Sequence, residues 1–131
     1  MASIFTKIVN REIPAHIVAE DEAHLAFLDI NPLVMGHTLV IPKREEDYIY
    51  DLSDEETTAI NLFAKKVARA IEKTISCNRI GIAVMGLDVP HAHIHLIPIK
   101  TMDDMNFSRP KLSPSQEELA EVASAIAKNF S

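Results

Sequence analysis

The segment His91-Ala92-His93-Ile94-His95-Leu96-Ile97 alternates imidazole with small or aliphatic side chains. In a strand, residues i, i+2 and i+4 point to one face, roughly 6.5–7 Å apart per pair. On this reading His91, His93 and His95 share a face, while Ile94 and Leu96 turn to a core on the other. Pro90 precedes the segment and the apolar run continues to Ile99, so a strand is expected over 91–99. A partner strand is expected over 79–85, where Ile80, Ile82 and Val84 fall on one face.

Working upstream, Ser53-Asp54-Glu55-Glu56 forms a capping box. Ile60, Phe63, Ala64, Val67 and Ile71 follow at helical spacing, which predicts a long amphipathic helix to about Thr74. Thr38 to Ile41 reads as a buried strand closed by Pro42, and Asn31-Pro32 opens the loop before it. Two further strands, 16–20 and 23–29, are joined by a turn at Asp21-Glu22. A short helix over 4–10, capped by Ser3 and ended by Pro14, opens the chain; Ile4, Phe5, Ile8 and Val9 share one of its faces. Downstream, Ser113-Pro114-Ser115-Gln116 is a second capping signal, with proline at the first helical position. A terminal helix to about Lys128 follows, with Leu119, Val122, Ala123 and Ile126 inward. The fold class is therefore α+β: an antiparallel sheet covered by helices on one face.

Composition bounds the function. A chain of 131 residues with 47% hydrophobic and 24% charged residues fits a single domain over 1–131, with a core over about 3–99 and a C-terminal extension over about 100–131. No apolar run reaches membrane-spanning length, so no membrane partner is expected. The N-terminus lacks the pattern of a secretory signal, which makes the cytoplasm the expected compartment. A formal charge of −6 argues against nucleic acid as a partner. The one cysteine, Cys77, is expected to be a buried small hydrophobe. Gly36, Gly81 and Gly86 are the only glycines, too few for a glycine-rich phosphate loop.

Six histidines in such a chain, three of them within 91–95, point to chemistry. Imidazole titrates near neutrality and serves as nucleophile, acid or base. One ring attacks an electrophile, a hydrogen bond to its other nitrogen fixes the tautomer, and a protonated neighbour donates to the leaving group or to anionic oxygens. Phosphorus suits a histidine nucleophile. Two other readings stand beside this one: a zinc site on the three imidazoles, and a solvent-facing strand that merely carries histidines. The motif supplies no carboxylate to orient zinc-bound rings, and the strict alternation speaks against the bland reading.

The His-x-His-x-His motif with two following apolar residues resembles the signature of the histidine triad (HIT) family of nucleotide hydrolases and transferases. Ile4-Phe5-Thr6-Lys7-Ile8-Val9, Glu12-Ile13-Pro14, Leu25 to Pro32 and Gly36 to Lys43 look like successive blocks of its Hint-like branch, and the resemblance covers residues 3 to about 99. It implies a five-stranded antiparallel sheet with a long central helix and a C-terminal helix, paired into a ten-stranded sheet in a two-fold homodimer. It implies that His93 attacks the α-phosphorus of a purine nucleotide conjugate and forms a nucleotidyl-histidine, which water then resolves. The activity implied is of phosphoramidase type. The alternatives are hydrolysis of dinucleoside polyphosphates, or nucleotide binding with vestigial catalysis. His91 would hold the His93 tautomer through its carbonyl, with His95 and His37 as supporting histidines. Asp29 would bind the ribose hydroxyls, and Ile4, Phe5, Ile8, Phe27 and Ile30 would wall the base. Neither metal nor another cofactor is implied.

Two departures from the family pattern matter. The loop Met85-Gly86-Leu87-Asp88-Val89-Pro90 is short, and Asp88 occupies the place of a phosphate-contacting serine; the amides of Val89 and the triad strand remain to serve phosphate oxygens. Some members carry a Cys-x-x-Cys for structural zinc near the N-terminus, where this chain has Ser3 and Thr6, so that zinc is expected to be absent. In the extension, Arg109 and Lys111 read either as phosphate contacts or as solvated charges, and Met102, Met105 and Phe107 as packing at a dimer surface or over the pocket.

Overall fold

Strands β1 (Ile17–Glu20), β2 (His24–Leu28), β3 (Thr38–Pro42), β4 (Arg79–Ala83) and β5 (Ile94–Ile99) form one antiparallel sheet in the order β1-β2-β3-β5-β4. Helices α1 (Ile4–Val9), α2 (Asp54–Thr74) and α3 (Gln116–Lys128) complete the fold, which is α+β as expected. The computed structural model describes residues 2–131.

Alternation along the strands divides the core in two. Ala26, Leu28, Val40, Ile94 and Leu96 face α2 and α3, where Ile60, Val67, Ile71 and Ile126 are fully buried. Burying each such aliphatic side chain contributes roughly 1.5–3 kcal/mol. Leu25, Phe27, Leu39 and Ile41 face the other way and meet Phe5 and Ile8 of α1. The two long helices thus share one face as expected, but the short α1 covers the opposite one. A single turn and a half of helix is enough there, because Ser3 caps it by accepting from the Thr6 amide and Phe5 and Ile8 anchor it.

Three boundaries differ from the sequence reading by more than one residue. The β5 ladder starts at Ile94, not at residue 91: Ala92 donates instead to the Glu46 carbonyl at 2.6 Å, outside the sheet. Strand β4 stops at Ala83, before the Met85–Pro90 loop. The cap of α3 is Ser115, paired with Glu118 in a capping box, and not Ser113. The α2 capping box of Ser53 and Glu56 is as read. Turns of 3-10 helix at Ile49–Asp51 and Met102–Met105 carry no apolar periodicity long enough to be read in advance. Cys77 is half-buried rather than buried.

Candidate active site

The segment 91–95 emerges against the α1 face of the sheet. His91, His93 and His95 are all buried, and so is His37, one residue before β3. Although 91–93 lie outside the ladder, the alternation persists. Ile94 and Leu96 belong to the α2 core, and the Phe5 ring stands edge-on to both His91 (5.9 Å) and His93 (5.1 Å).

Hydrogen bonds fix the proton on each ring. His91 Nε2 lies 2.8 Å from the Pro42 carbonyl, which can only accept, so Nε2 carries the proton and Nδ1 holds the lone pair. Ser3 Oγ donates to that lone pair at 2.8 Å. His93 Nδ1 donates to the His91 carbonyl at 2.8 Å, which leaves Nε2 of His93 as an unprotonated, nucleophilic nitrogen. The Leu33 amide donates to His37 Nδ1 at 3.1 Å, forcing the His37 proton onto Nε2. That proton is donated to His95 Nδ1 at 2.9 Å, so the free Nε2 of His95 is an N–H donor. Four rings thus present one lone pair and one donor: Nε2 of His93 and Nε2 of His95. The two rings are 5.1 Å apart between centroids.

Burial holds His37 near a pKa of about 3, helped by the neighbouring charges of His95 and Lys111. Burial also holds His95 at about 4, helped by His93 and opposed by the Asp88 carboxylate. His91 is lowered in the same way. His95 therefore donates as a neutral imidazole whose tautomer is imposed by His37. This corrects the expectation of a protonated neighbour.

Asp29 follows β2 and stands at the rim of this cluster. Its Oδ1 accepts from the Asn31 amide at 2.9 Å, and its Oδ2 lies 3.8 Å from His37 Nε2. Burial raises its pKa, against the amide of Asn31 and the charges of His93 and Lys111. Of the apolar wall, Phe5, Ile8 and Phe27 are buried, whereas Ile4 and Ile30 are half exposed at 50% and 56%. Val89 packs on the α1 core, and its carbonyl accepts from the His91 amide at 2.8 Å. A cavity of about 590 Å³ opens beside His93, lined also by Tyr48, Met85 and Leu87.

The extension adds a residue whose role the sequence left open. Phe107 stands edge-on to His95 at 5.1 Å and to His37 at 6.3 Å, so it packs over the pair. Met105 packs on Gly81 instead, and Met102 is exposed. Arg109 is occupied by Asp103, Asp104 and the Leu33 carbonyl (2.7 Å), which makes it a clip for the His37 loop. Lys111 donates to the carbonyls of Phe107 and Arg109.

A ligand atom from each of Asp29, His37 and His95 lies within 4.8 Å of the others, a spacing compatible with a cation. The donor chemistry does not fit one. The Leu33 N–H holds the His37 proton on Nε2, the atom a cation would need, and that proton fills the gap to His95. Nor do the three triad imidazoles converge on a metal, because both nitrogens of His91 are engaged by Ser3 and Pro42.

The HIT domain family model matches residues 10–102. The chain belongs to the HIT family. An adenosine 5′-monophosphoramidase of Schizosaccharomyces pombe is 37% identical over 134 residues, 99% of each chain. Among solved structures, a HIT-like protein of Bartonella henselae matches with a TM-score of 0.83 at 31% identity, over 98% of this chain and 96% of that one. A zinc-bound histidine triad protein of Mycobacterium smegmatis matches with a TM-score of 0.82 at 30% identity, over 98% and 95%. The α+β architecture and five-stranded sheet are thus those of the HIT fold. No helix among the described residues is long and apolar enough to cross a membrane.

Proposed function

We propose that this HIT protein hydrolyses nucleoside 5′-phosphoramidates, with His93 as nucleophile. The observation that carries this reading is the complementary pair of nitrogens: a lone pair on His93 Nε2 beside an N–H on His95 Nε2, each enforced by a chain of hydrogen bonds. His93 Nε2 attacks the α-phosphorus, and the bond from phosphorus to the leaving nitrogen breaks. The His95 Nε2–H donates to the phosphoryl oxygens as charge develops on them, and the amine departs with a proton drawn from solvent. Water then adds to phosphorus and gives up its proton to solvent. The phosphorus–Nε2 bond breaks, and the nucleoside monophosphate leaves. Asp29 accepts from the ribose hydroxyls, and the apolar surface of Phe5, Ile8, Phe27, Ile4 and Ile30 receives a purine face without reading its edge. The amide of Val89 serves a phosphate oxygen.

Asp88 favours an amine over a phosphate leaving group. Its carboxylate is near enough to His95 to act on that ring's charge. It would therefore repel the anionic second half of a dinucleoside polyphosphate and tolerate an amine. The phosphoramidase name of the yeast relative agrees. The fold also supports a homodimer. Strand β4 is an open sheet edge and carries Ile82, exposed at 68%. Exposed Val84, Met85 and Leu62 of α2 extend the apolar surface nearby. A second copy pairing there would continue the sheet to ten strands.

The test is release of AMP from adenosine 5′-phosphoramidate with chelator present, for the wild type and His93→Asn. Release by the wild type alone supports the reading. Equal release from both, or chelator sensitivity, overturns it. Cleavage of diadenosine polyphosphates in preference to the phosphoramidate would overturn the assignment of the leaving group.

A further inference from the structure

Residues that the triad signature does not include hold its first histidine in place. Ser3, Thr6 and Glu45 meet His91 at the junction of α1 with the segment after β3. Glu45 Oε1 accepts from the Ser3 amide at 2.7 Å and from the Thr6 hydroxyl at 2.6 Å. The Ser3 hydroxyl accepts from the Thr6 amide at 3.0 Å and donates to His91 Nδ1 at 2.8 Å. Because the Thr6 proton is committed to Glu45, the proton on the His91 Nδ1 lone pair's partner must come from Ser3. The shortest contacts set this pairing: Thr6 Oγ1 is 2.6 Å from Glu45 but 3.3 Å from His91 Nδ1, and Ser3 Oγ is 2.8 Å from His91 Nδ1 but 3.3 Å from Thr6 Oγ1, while the Pro42 carbonyl pins the ring at its other end. The His91 carbonyl, which alone dictates the His93 tautomer, is carried on this pinned residue.

Zinc does not suit this corner. Where some family members have Cys-x-x-Cys, Ser3 and Thr6 offer two neutral hydroxyls, and the Nδ1 lone pair of His91 is taken by Ser3. We propose that Glu45, acting through Ser3 and Thr6, is a positioning residue of the catalytic histidines, and that this hydrogen-bonded clamp replaces a structural metal. The proposal rests on His93 as nucleophile for its kinetic consequence, but its geometric content does not. Glu45 is suited to the task because the Ser3 amide, then the Thr6 hydroxyl, holds its pKa at about 2. It stays ionised, and the clamp closed, across the working range of the enzyme. The link also explains why a helix as short as α1 is ordered against the triad: its N-cap serine is shared with the active site.

The test pairs Glu45→Ala and Thr6→Val with the conservative Thr6→Ser, which retains the hydroxyl. The first reading is the imidazole ¹⁵N spectrum of the folded homogeneous protein. Wild type and Thr6→Ser should show His93 as a single Nδ1–H tautomer, and the two disruptive variants should show a mixture. The second reading is turnover of adenosine 5′-phosphoramidate. The disruptive variants should lose about tenfold in kcat, the scale of a small misplacement of a reacting group, with affinity for AMP within twofold of wild type and Thr6→Ser restored. His93 remaining a single Nδ1–H tautomer in both disruptive variants overturns the proposal, whatever the rate. Tautomer mixing confined to the disruptive variants, with a wild type that holds the single tautomer but releases no AMP, overturns the proposed function and leaves the clamp standing. Stoichiometric zinc in the purified wild type, with loss of the tautomer on chelation, overturns the metal-free clamp. If Glu45→Ala does not fold, Thr6→Val alone decides between these outcomes.

Discussion

Replacing His37 with leucine removes the ring that transmits the Leu33 amide to His95 while roughly keeping the buried volume. Two hydrogen bonds are lost, from the Leu33 amide (3.1 Å) and to His95 Nδ1 (2.9 Å), at a site only 1% exposed. Each unpaired buried group costs about 1–3 kcal/mol, so the variant should lose about 2–6 kcal/mol, a large part of the ~5–15 kcal/mol typical of a domain. At roughly 3–6 °C per kcal/mol for a chain of this size, the midpoint should fall by about 6–36 °C, and turnover is read on the folded protein below it. Catalysis should suffer independently. With no donor at Nδ1, neutral His95 is free to place its proton there, and the N–H facing the substrate is lost from part of the population. A preorganised donor aimed at transition-state charge contributes about 10²–10³-fold, so kcat for adenosine 5′-phosphoramidate at 20 °C should fall about 10²-fold, with AMP affinity little changed. Thermal unfolding and steady-state kinetics on the same preparation separate the two effects. A variant destabilised as stated but turning over within threefold of wild type would refute the relay from Leu33 to His95.

His93→Asn should abolish AMP release while AMP still binds, measured by calorimetry; turnover near the wild-type rate removes His93 as nucleophile. Asp29→Asn should weaken AMP far more than 2′,3′-dideoxy-AMP, and an equal loss for both would detach Asp29 from the ribose. Because burial raises the Asp29 pKa, AMP affinity should fall on acidification at a higher pH than an ordinary carboxylate would give, and a flat titration down to that range contradicts the role. His37 and His95 have folded pKa values of about 3 and 4 against 6.5 unfolded. The unfolded state therefore binds more protons between those limits. Their stability contribution is complete above about pH 6.5 and is lost as pH falls toward 4, at up to about 1.4 kcal/mol per proton per pH unit. Denaturant midpoints measured from pH 8 to 4.5 check the sign. Ile82→Glu, which puts a charge on the β4 edge, should convert a dimer to a monomer in light scattering; an unchanged mass places the interface elsewhere.

The parts of this molecule legible in its sequence are those set by local chemistry. Helix α2 announces itself through its capping box and stripe, and β3 through Thr38 to Ile41. The order of elements follows from such signals alone, and so does the opposition of Ile94 and Leu96 to the histidines. Long-range partnerships are not written in any window. His37 meets His95 across 58 positions and Ser3 meets His91 across 88. The β5 boundary escapes a local reading for the same reason: alternation describes which way side chains point, and the segment 91–93 alternates while its backbone bonds to Glu46 instead of to a strand. For Phe107 the sequence leaves two places open, a dimer surface or the pocket, and gives no local signal to choose between them. Only the clip of Arg109 to Leu33 and of Leu112 to Pro32 brings it over the His37–His95 pair.

Gly36 shows how a single position ties loop geometry to tautomer control. It adopts φ +97°, and a Cβ there would lie 3.0 Å from Ile75 and 3.2 Å from Pro98. The left-handed turn lets the chain double back, so that the His37 amide reaches the Val34 carbonyl while its ring receives the Leu33 amide. An alanine at 36 carries backbone strain of about 1–2 kcal/mol and must also push against two side chains that hold α2 and β5. Any relaxation of that turn moves the Leu33 amide, three residues before the strained position, relative to His37 Nδ1, one residue after it and one imidazole removed from His95. Gly36→Ala should therefore behave as a weaker His37→Leu, with a lower thermal midpoint and a smaller kcat and with AMP binding retained. A midpoint that falls without any change in kcat would mean that the His37 ring finds its donor by a route other than this turn.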